Sequence, residues 1–304
     1  MAPLIDLHCH TTFSDGSLTP AALLDHALNT GVRVLAITDH DTIQAYGAIR
    51  EQACRRGVVL LCGVEMSTHL EGFERSVHLL GYFPAEPEAA FSDWLLHLQQ
   101  GRAKRNTELL TRLQQLGLKI EWDEVSALAQ RQVGRPHFAQ VLLRKGYVAT
   151  MKEAFTRYLG EGGLAWVERD EPTLASAIEN VQSAGGMASL AHPVRISHDR
   201  QFVDRVVADH APLGLEALEC FHSEHSEEDV QFMLSLAHKY GLNATGGSDF
   251  HGNPKPEVDL GTGRGGNVRV PWYVAEQLAR KFSELSASIS PERSTALRIA
   301  DEQS

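Results

Sequence analysis

The sequence predicts an α/β protein built on a parallel sheet or barrel, with a helical insertion in the middle of the chain. Short apolar, β-branched segments alternate with helical patterns on both sides of this insertion, and that alternation is typical of βαβ units. In between, residues 88–160 carry mainly helical patterns. The 304 residues are 43% hydrophobic, an ordinary globular composition that suffices for about two domains.

The N-terminal region contains a well-marked helix between two predicted strands. "LIDLH" (4–8) is typical of a short strand, and "VRVLAITDHD" (32–41) of a strand buried on both faces. "TPAALLDHALNTG" (19–31) has a capping threonine, a proline in its first turn and a terminal glycine, so it predicts a helix. The next predicted elements are a helix over 42–56 and strands over 58–68 and 76–83.

The alternation of helix and strand stops for the insertion and returns from residue 172. We expect the barrel to comprise residues 1–99 and 166–285, the helical insertion residues 100–165, and a frayed Ser- and Glu-rich tail residues 286–304. The later predicted elements are helices over 173–184, 201–210 and 226–240, strands over 186–193, 215–220 and 243–252, and a final strand and helix within 267–285.

The composition excludes several classes of protein. A formal net charge of −11 argues against a general nucleic-acid or membrane-surface binder, so an anionic substrate would need locally placed cations. The four cysteines lack a CxxC spacing and are expected to be reduced thiols. We find no secretory leader and no apolar run of about 18 residues, and we therefore expect a cytoplasmic protein that does not enter the membrane.

Imidazoles and carboxylates follow the predicted strands, at the edge where α/β barrels hold their active sites. Residues i and i+2 of an extended chain point to one side, so the two histidines of "HCH" can converge, as can the acid and histidine of "DFH". Buried groups of this kind need a positive partner, which a divalent metal supplies. The candidates are His8, His10, Asp39, His40, Asp41, Glu65, His78, His192, Asp249 and His251.

Each of these motifs is weak by itself. A single histidine at a strand end is commonly a hydrogen-bonded core residue, and Glu65 alone could be a solvated carboxylate. Their joint occurrence after successive strands is what predicts a metal cluster. Its nitrogen and oxygen ligands suit Mn, Fe or Zn better than a thiolate site would.

The successive motifs "DLHCHTTFSDG", "AITDHDT", "GVEMS", "HLLGY", "AHP" and "GGSDFHG" resemble those of the polymerase and histidinol phosphatase (PHP) family, in the expected order over nearly the whole chain. The resemblance implies a distorted seven-stranded β/α barrel that holds three divalent metal ions, with Mn²⁺ the favoured ion. By motif, the first metal takes His8, His10, Glu65 and Asp249; the second shares Glu65 and adds His78 and His192; the third takes Asp15, His40 and His251.

Metal ions held close together can activate water and clamp a phosphoryl group, which predicts phosphate-ester hydrolysis. Protonation of the leaving oxygen would need an acid that is not a ligand. Asp39, Asp41 and His225 are the candidates, and the sequence does not choose among them.

Cations in the predicted insertion suggest how an acidic protein could bind phosphate. "GRAKRN" (101–106) contributes Lys104, which would equally suit a solvated helix face. "GRPHFA" (134–139) predicts a helix start whose amides point at an anion, flanked by Arg135 and His137. Arg195, just after "AHP", is a further candidate.

The "GRPHFA" element, the insertion length and the "GGSDFHG" ending most resemble the subgroup of the family that acts on nucleoside 3′,5′-bisphosphates. The resemblance implies removal of the 3′-phosphate from adenosine 3′,5′-bisphosphate to give AMP, and also 5′→3′ trimming of short RNA. Arg135 would then bind the 5′-phosphate, which does not react. We expect nucleotide bisphosphates and short RNA ends as partners, and no stable protein partner.

Three alternatives remain open. A histidinol phosphatase would share the barrel and metals, but its cationic substrate favours an acidic or aromatic wall. An amidohydrolase could also carry HxH after its first strand, although no lysine follows a mid-chain strand to bridge metals there. A non-catalytic nucleotide-binding or polymerase-associated module would not need the full set of ligands found here.

Overall fold

The fold is that of a computed structural model, which describes residues 3–129 and 131–283. The predicted tail, residues 286–304, lies outside the described residues. A single seven-stranded sheet forms the centre, with its strands in sequence order. The strands are β1 (Leu4–Cys9), β2 (Val32–Ile37), β3 (Val59–Leu70), β4 (Phe73–Phe83), β5 (Met187–Leu190), β6 (Ala217–His222) and β7 (Asn243–Gly247).

The sheet is mixed, so the expected parallel pairing holds for every strand except one. β1 to β3 are parallel to one another, and so are β5 to β7, but β4 is antiparallel to both of its neighbours. The cause is the connection between β3 and β4, which consists only of Glu71 and Gly72. Two residues suffice for a hairpin, whereas parallel neighbours require a crossover of a dozen residues or more.

The sheet curls until its two edges meet, which confirms the distorted seven-stranded barrel. The amide of Asp249 donates to the carbonyl of His8 at 2.7 Å, and the amide of His10 donates to the carbonyl of Phe250 at 2.9 Å. These bonds join the end of β1 to the chain that leaves β7. The C-terminal ends of the first and last strands are therefore fixed against each other.

Helices cover the outside of the barrel and build the middle of the chain. The first begins as predicted, since the Thr19 hydroxyl accepts a hydrogen bond from Ala22 N, and it ends at Gly31 with φ 86°. The helices are α1 (Pro20–Thr30), α2 (Gln44–Arg55), α3 (Ala89–Gln115), α4 (Trp122–Ser126), α5 (Arg135–Arg144), α6 (Met151–Ala154), α7 (Leu174–Ser183), α8 (Arg200–His210), α9 (Glu227–Tyr240) and α10 (Trp272–Lys281).

Helix α3 connects the barrel to the middle of the chain and runs across position 100, where the insertion was expected to begin. Its first half packs Phe91 and Leu95 into the core around the sheet. Its second half packs Leu109 and Leu113 into a separate apolar cluster with residues of α5. The insertion therefore has a core of its own, while the boundaries at 100 and 165 stay a prediction.

The C-terminal part of the described chain differs from expectation in one element. Helix α10 forms as predicted, but residues 267–271 form no strand. Pro271 precedes the helix and lacks an amide donor for a strand ladder. None of the helices among the described residues combines the length and the apolar character needed to cross a bilayer.

Candidate metal centre

The nine side chains expected to bind metal lie together at one end of the barrel. They come from different parts of the chain. His78 lies within β4 and not at its end, because β4 runs antiparallel to its neighbours. Apart from two partly exposed histidines, His40 and His78, every one of the nine is less than a tenth exposed. The members are His8, His10, Asp15, His40, Glu65, His78, His192, Asp249 and His251.

Glu65 lies at the centre of this cluster and faces two groups of histidines with its two oxygens. Its Oε2 is 3.4 Å from His8 Nε2, 3.1 Å from His10 Nε2 and 3.3 Å from His40 Nδ1. Its Oε1 is 2.7 Å from His78 Nδ1 and 2.9 Å from His192 Nε2. A carboxylate whose two oxygens face separate groups of histidines is suited to bridge two cations.

Asp249 completes the group around His8 and His10. Its Oδ1 lies 3.6 Å from His8 Nε2 and 3.4 Å from His10 Nε2. Its Oδ2 accepts from Arg195 Nη2 at 2.8 Å and from Lys255 Nζ at 2.6 Å. The two cations bind one oxygen and leave the other directed at the histidines.

A third group surrounds Asp15. His251 Nε2 is 3.4 Å from Asp15 Oδ1, and His40 Nε2 is 3.7 Å from Asp15 Oδ2. His251 Nδ1 donates to the carbonyl of Asp249 at 2.8 Å, which leaves its Nε2 without a proton and able to bind a cation. His10 also approaches this group, with Nδ1 3.6 Å from Asp15 Oδ1.

Backbone geometry at the strand ends is specialised for this convergence. Asp41, His192 and Asp249 have positive φ angles of 55°, 27° and 57°, which non-glycine residues adopt at a cost. Gly247, at the end of β7, allows β1 to approach closely, since a Cβ there would lie 2.3 Å from the backbone nitrogen of His8. These features turn side chains inward where a regular strand would not.

The chemistry of the cluster fits divalent cations. Burial lowers the pKa of His40 to about 3, so that ring is neutral and able to ligate. Burial also acts to lower the pKa of His10, but its interactions with the neighbouring carboxylates of Asp249 and Glu65 outweigh it and raise that pKa to about 9 without a cation. His8 Nε2, His10 Nε2 and His40 Nδ1 are buried without a hydrogen-bond partner. A cation among these nitrogens and carboxylates would satisfy all of them.

Two buried residues of β6, Glu219 and His222, were missed by the sequence analysis. Glu219 Oε1 is 2.8 Å from His8 Nδ1, and its Oε2 accepts the backbone amide of His192 at 2.7 Å. His222 Nδ1 accepts from the amide of Glu224, so its proton is on Nε2, which lies 3.5 Å from Asp249 Oδ2. Both residues orient members of the cluster from behind. The position of His222 at the end of a strand is the feature of the sequence that could have identified it.

The three candidates for the proton-donating acid do not reach the cavity above the cluster. Asp39 is buried, and its oxygens accept from Thr11 and Ser14. His225 Nδ1 donates to the carbonyl of Cys220 at 2.9 Å, inside the loop after β6. Each of these side chains therefore holds a loop in place.

Asp41, the third candidate, is paired with two arginines of the middle region that the sequence analysis did not select. Its Oδ2 accepts from Arg102 Nε and Nη2 at 3.0 and 2.7 Å, and from Arg169 Nη2 at 2.8 Å. Burial acts to raise the pKa of Asp41, but Arg102 and Arg169 outweigh it and lower that pKa to about 2. Asp41 is thus ionised near neutral pH. It holds the two arginines in place and has no proton to donate.

A cavity of about 280 Å³ lies above the cluster, between the barrel and the helices of the middle region. Of the four predicted anion-binding residues, Arg135 and Arg195 line it. Lys104 is exposed on the outer face of α3. His137 is buried, and its Nδ1 accepts the amide of Gly134 at 2.9 Å, so it caps α5 instead of facing an anion. Arg195 is bidentate to Glu224, at 2.7 and 2.8 Å, besides its contact with Asp249.

Comparison with known proteins agrees with this architecture. The model of the PHP domain family matches residues 6–188. The chain is 35% identical over 251 residues to a 5′-3′ exoribonuclease of Haemophilus influenzae, covering 83% of this chain and 91% of that protein. It is 33% identical over 261 residues to a 3′,5′-nucleoside bisphosphate phosphatase of Chromobacterium violaceum, covering 84% and 90%.

A solved structure gives the same result for the fold. A Bifidobacterium adolescentis protein assigned as a metal-dependent phosphoesterase superposes with a TM-score of 0.77 at 30% identity, covering 92% of this chain and 98% of that one. The mixed barrel and its cluster of histidines and carboxylates define a protein of the metal-dependent phosphoesterase class. The chain belongs to the PHP domain family.

Proposed function

We propose that the chain is a metal-dependent phosphatase that removes the 3′-phosphate of nucleoside 3′,5′-bisphosphates, converting adenosine 3′,5′-bisphosphate to AMP and phosphate. We propose that short RNA, trimmed from its 5′ end, is a second substrate. Relatives at 33% and 35% identity over most of the chain carry these two activities in their names. The observation that carries the proposal is that Arg135 and the carboxylate of Glu65 line the same cavity.

The ligand assignment follows the geometry around the three carboxylates. Three divalent cations are proposed, with Mn²⁺ favoured and Fe²⁺ or Zn²⁺ as alternatives, because the donors are nitrogen and oxygen. When bound, such ions supply charge for a phosphoryl group and lower the pKa of water. The proposed sets are His8, His10, Glu65 and Asp249; Glu65, His78 and His192; and Asp15, His40 and His251.

The basic side chains around the cavity have roles separate from those of the metal ions. Arg195 and Lys255 bind Asp249 Oδ2 and direct its other oxygen to the cluster. Both also line the cavity, so they would meet a phosphate bound at this end. Arg135 faces them from the start of α5 and would bind a phosphate that does not react, since a guanidinium binds phosphate in a bidentate fork.

The middle region would act as the part that recognises substrate. We propose that residues 100–165 form an insertion on a barrel of residues 1–99 and 166–285, and that it covers the cavity. Its Arg135, Met151 and Phe155 contribute the wall opposite the cluster. This wall carries a cation, which disfavours the cationic substrate of a histidinol phosphatase.

A phosphate-release assay tests the proposal directly. The purified protein is incubated with adenosine 3′,5′-bisphosphate, AMP, histidinol phosphate or a short 5′-phosphorylated oligoribonucleotide, each with Mn²⁺ and with excess chelator. For the oligoribonucleotide the product measured is the nucleoside monophosphate, because trimming hydrolyses phosphodiesters and releases no inorganic phosphate. We expect the bisphosphate to give the highest kcat/KM, and we expect the chelator and a Glu65→Gln variant to abolish release. Preference for histidinol phosphate, or release that persists in chelator, would contradict the proposal.

A further inference from the structure

A second cavity lies beside the metal cluster, and we call it the side pocket. Its volume is about 330 Å³, within the range of about 300–1,000 Å³ that is typical of small-molecule sites. The loops that follow β1 and β2 contribute one part of its lining, and α3, α4 and the chain before α5 contribute the rest. Its aromatic and hydrogen-bonding side chains include Phe13, Gln100, Arg102, Trp122, Arg131 and Gln132.

The side pocket adjoins the part of the metal cluster around Asp15. Phe13, which lines the pocket, is two positions before Asp15, and Thr42, which also lines it, is two positions after His40. Arg102 lines both the side pocket and the cavity above the cluster. A ligand that extends from that cavity into the side pocket therefore passes Arg102 and the Asp15 group.

The side pocket is basic, although the protein as a whole is acidic. The chain has a formal net charge of −11, yet no Asp or Glu lines this pocket among residues 3–129 and 131–283. Arg102 donates from Nε and Nη2 to Asp41, while its Nη1 makes no hydrogen bond in that part of the chain. Arg131 forms no ion pair there and donates to Gln44 Oε1. The pocket therefore favours an anionic ligand over a cationic one.

The same lining suits an aromatic ring with polar edges. The guanidinium of Arg131 lies over the ring of Phe13 at 4.3 Å, whereas Trp122 is 39% exposed and is the more open of the two rings. The side-chain amides of Gln100 and Gln132 make no hydrogen bond within the described part of the chain, and each can both donate and accept. Proteins bind single-stranded RNA in this way, by stacking on its bases and by hydrogen bonds to the base edges.

We propose that the side pocket binds the second nucleotide of a short RNA, on the 3′ side of the phosphodiester that is hydrolysed. This rests on the proposed function, in which the first nucleotide occupies the cavity above the cluster. Trp122 stacks on the base of the second nucleotide, and Gln100 and Gln132 bind its edge. Arg102 contacts the backbone between the two cavities.

RNA requires a second site because its reacting phosphate carries a nucleoside on each side. In a nucleoside 3′,5′-bisphosphate the 3′-phosphate is terminal, whereas in RNA it is also esterified to the 5′ oxygen of the next nucleotide. Hydrolysis joins the oxygen of water to phosphorus and breaks the bond to the 3′ oxygen, which takes up a proton of the water. The phosphate then stays on the second nucleotide. The side pocket is therefore filled by RNA and left free by the bisphosphate.

Binding without turnover tests the side pocket. The full-length protein, in excess chelator, is titrated with 5′-phosphorylated diadenylate and with AMP, which retains the first nucleotide and lacks the second, and Kd is measured by calorimetry. The variants are Trp122→Leu and Gln132→Ala. Tyr273→Leu is the matched control, because Tyr273 of α10 is also 39% exposed and lies outside the pocket.

We expect the wild type and Tyr273→Leu to bind diadenylate about tenfold or more tightly than AMP, the worth of one stacked base. Trp122→Leu should lose about tenfold in affinity for diadenylate and none for AMP. Gln132→Ala should lose about fivefold for diadenylate, the worth of one hydrogen bond. With Mn²⁺, kcat/KM for diadenylate relative to that for the bisphosphate should fall in Trp122→Leu by the same factor as the affinity.

Trp122 also lies near Phe138, with ring centroids 6.4 Å apart, so its replacement could disturb folding. If Trp122→Leu does not fold, Gln132→Ala and Gln100→Ala decide the question, because neither amide makes a hydrogen bond within the described residues. A wild type that binds diadenylate no more tightly than AMP would overturn the proposal. So would variants of the pocket that keep the wild-type preference.

The proposed function fails by a different result. A protein that binds diadenylate through Trp122 and hydrolyses neither RNA nor the bisphosphate would refute the proposed function and leave the side pocket standing. Hydrolysis of both substrates, with their ratio unchanged in Trp122→Leu, would refute the side pocket alone.

Discussion

Glu219 Oε1 lies 2.8 Å from His8 Nδ1, and neither side chain is exposed. The contact places the proton of His8 on Nδ1 and leaves Nε2 facing Glu65 and Asp249. The other oxygen of Glu219 holds the amide of His192, whose φ of 27° is unusual. One carboxylate of β6 therefore orients two members of the cluster that come from different strands.

Replacing this carboxylate should weaken metal binding without removing a ligand. We expect Glu219→Gln to lower Mn²⁺ affinity about 10- to 100-fold, the usual effect of losing an outer partner of a ligating histidine. The measurement is metal content after dialysis against graded chelator. Glu228→Gln, on the exposed face of α9, is the control and should bind metal like the wild type. Equal affinities for the two variants would mean that Glu219 does not orient His8.

Adding metal to chelated protein should stabilise it, because ligands that bind only the folded state raise the free energy of unfolding. The Nε2 atoms of His8 and His10 are buried without a hydrogen-bond partner, and a cation would satisfy them. We expect Mn²⁺ to raise the Tm of the wild type and of His97→Asn, an exposed histidine of α3. His78→Asn should show a smaller rise. An identical rise in both variants would exclude His78 from the metal centre.

The sequence was most informative where side chains of one cluster follow short strands. His8 and His10, two residues apart on an extended chain, point to one side as predicted. Asp249 and His251 also reach the cluster, but β7 ends at Gly247 and Asp249 has a φ of 57°, so the spacing of an extended chain is not what brings this pair there. Glu219 could not be found this way, because a single acid in the buried run "ALECFH" carries no spacing signal of its own. Its role depends on the neighbouring strand placing His8 beside it.

The basic residues of "GRAKRN" show a second limit of what the sequence could predict. Lys104 was selected for its charge, but the orientation of α3 puts Arg102 and Arg105 inside and Lys104 outside. Extending the helical period backward from the buried Leu109 would have favoured the two arginines. The pairing of Arg102 with Asp41 could not be foreseen, because it depends on how the insertion packs against the loop that follows β2.

Removing the carboxylate that anchors Arg102 and Arg169 should destabilise the protein strongly. Asp41→Ala leaves Arg102 and Arg169 buried without their carboxylate, and breaking a buried ion pair in this way costs about 3–5 kcal/mol. The check is the free energy of unfolding from urea titration. The double variant Asp41→Ala, Arg102→Met should recover part of the loss, because one uncompensated charge is then gone. A loss below about 1 kcal/mol, the level of an exposed pair, would contradict the buried pairing.

Two glycines should respond to alanine with opposite signs. At Gly247 the new Cβ would lie 2.3 Å from the backbone nitrogen of His8, so Gly247→Ala must displace β1 and should lower both Tm and Mn²⁺ affinity. At Gly47, in α2, the nearest atom is Glu86 Oε2 at 3.7 Å, so Gly47→Ala should raise stability by about 0.5–1 kcal/mol. Thermal unfolding with and without metal measures both. A tolerated Gly247→Ala would show that the strand approach is looser than described.

Replacing Arg135 should raise KM more for a substrate with two phosphates than for a substrate with one. If it binds the phosphate that does not react, Arg135→Ala should raise KM for a nucleoside 3′,5′-bisphosphate about tenfold or more, the worth of a hydrogen-bonded charge pair, and leave kcat nearly unchanged. For a simple phosphate monoester, which has no second phosphate, KM should change little. Arg144→Ala, at the exposed end of the same helix, serves as the control, and Arg135→Lys should restore part of the loss. Equal effects of Arg135→Ala on both substrates would show that its charge acts on the reacting phosphate, and the separation of roles in the cavity would then be wrong.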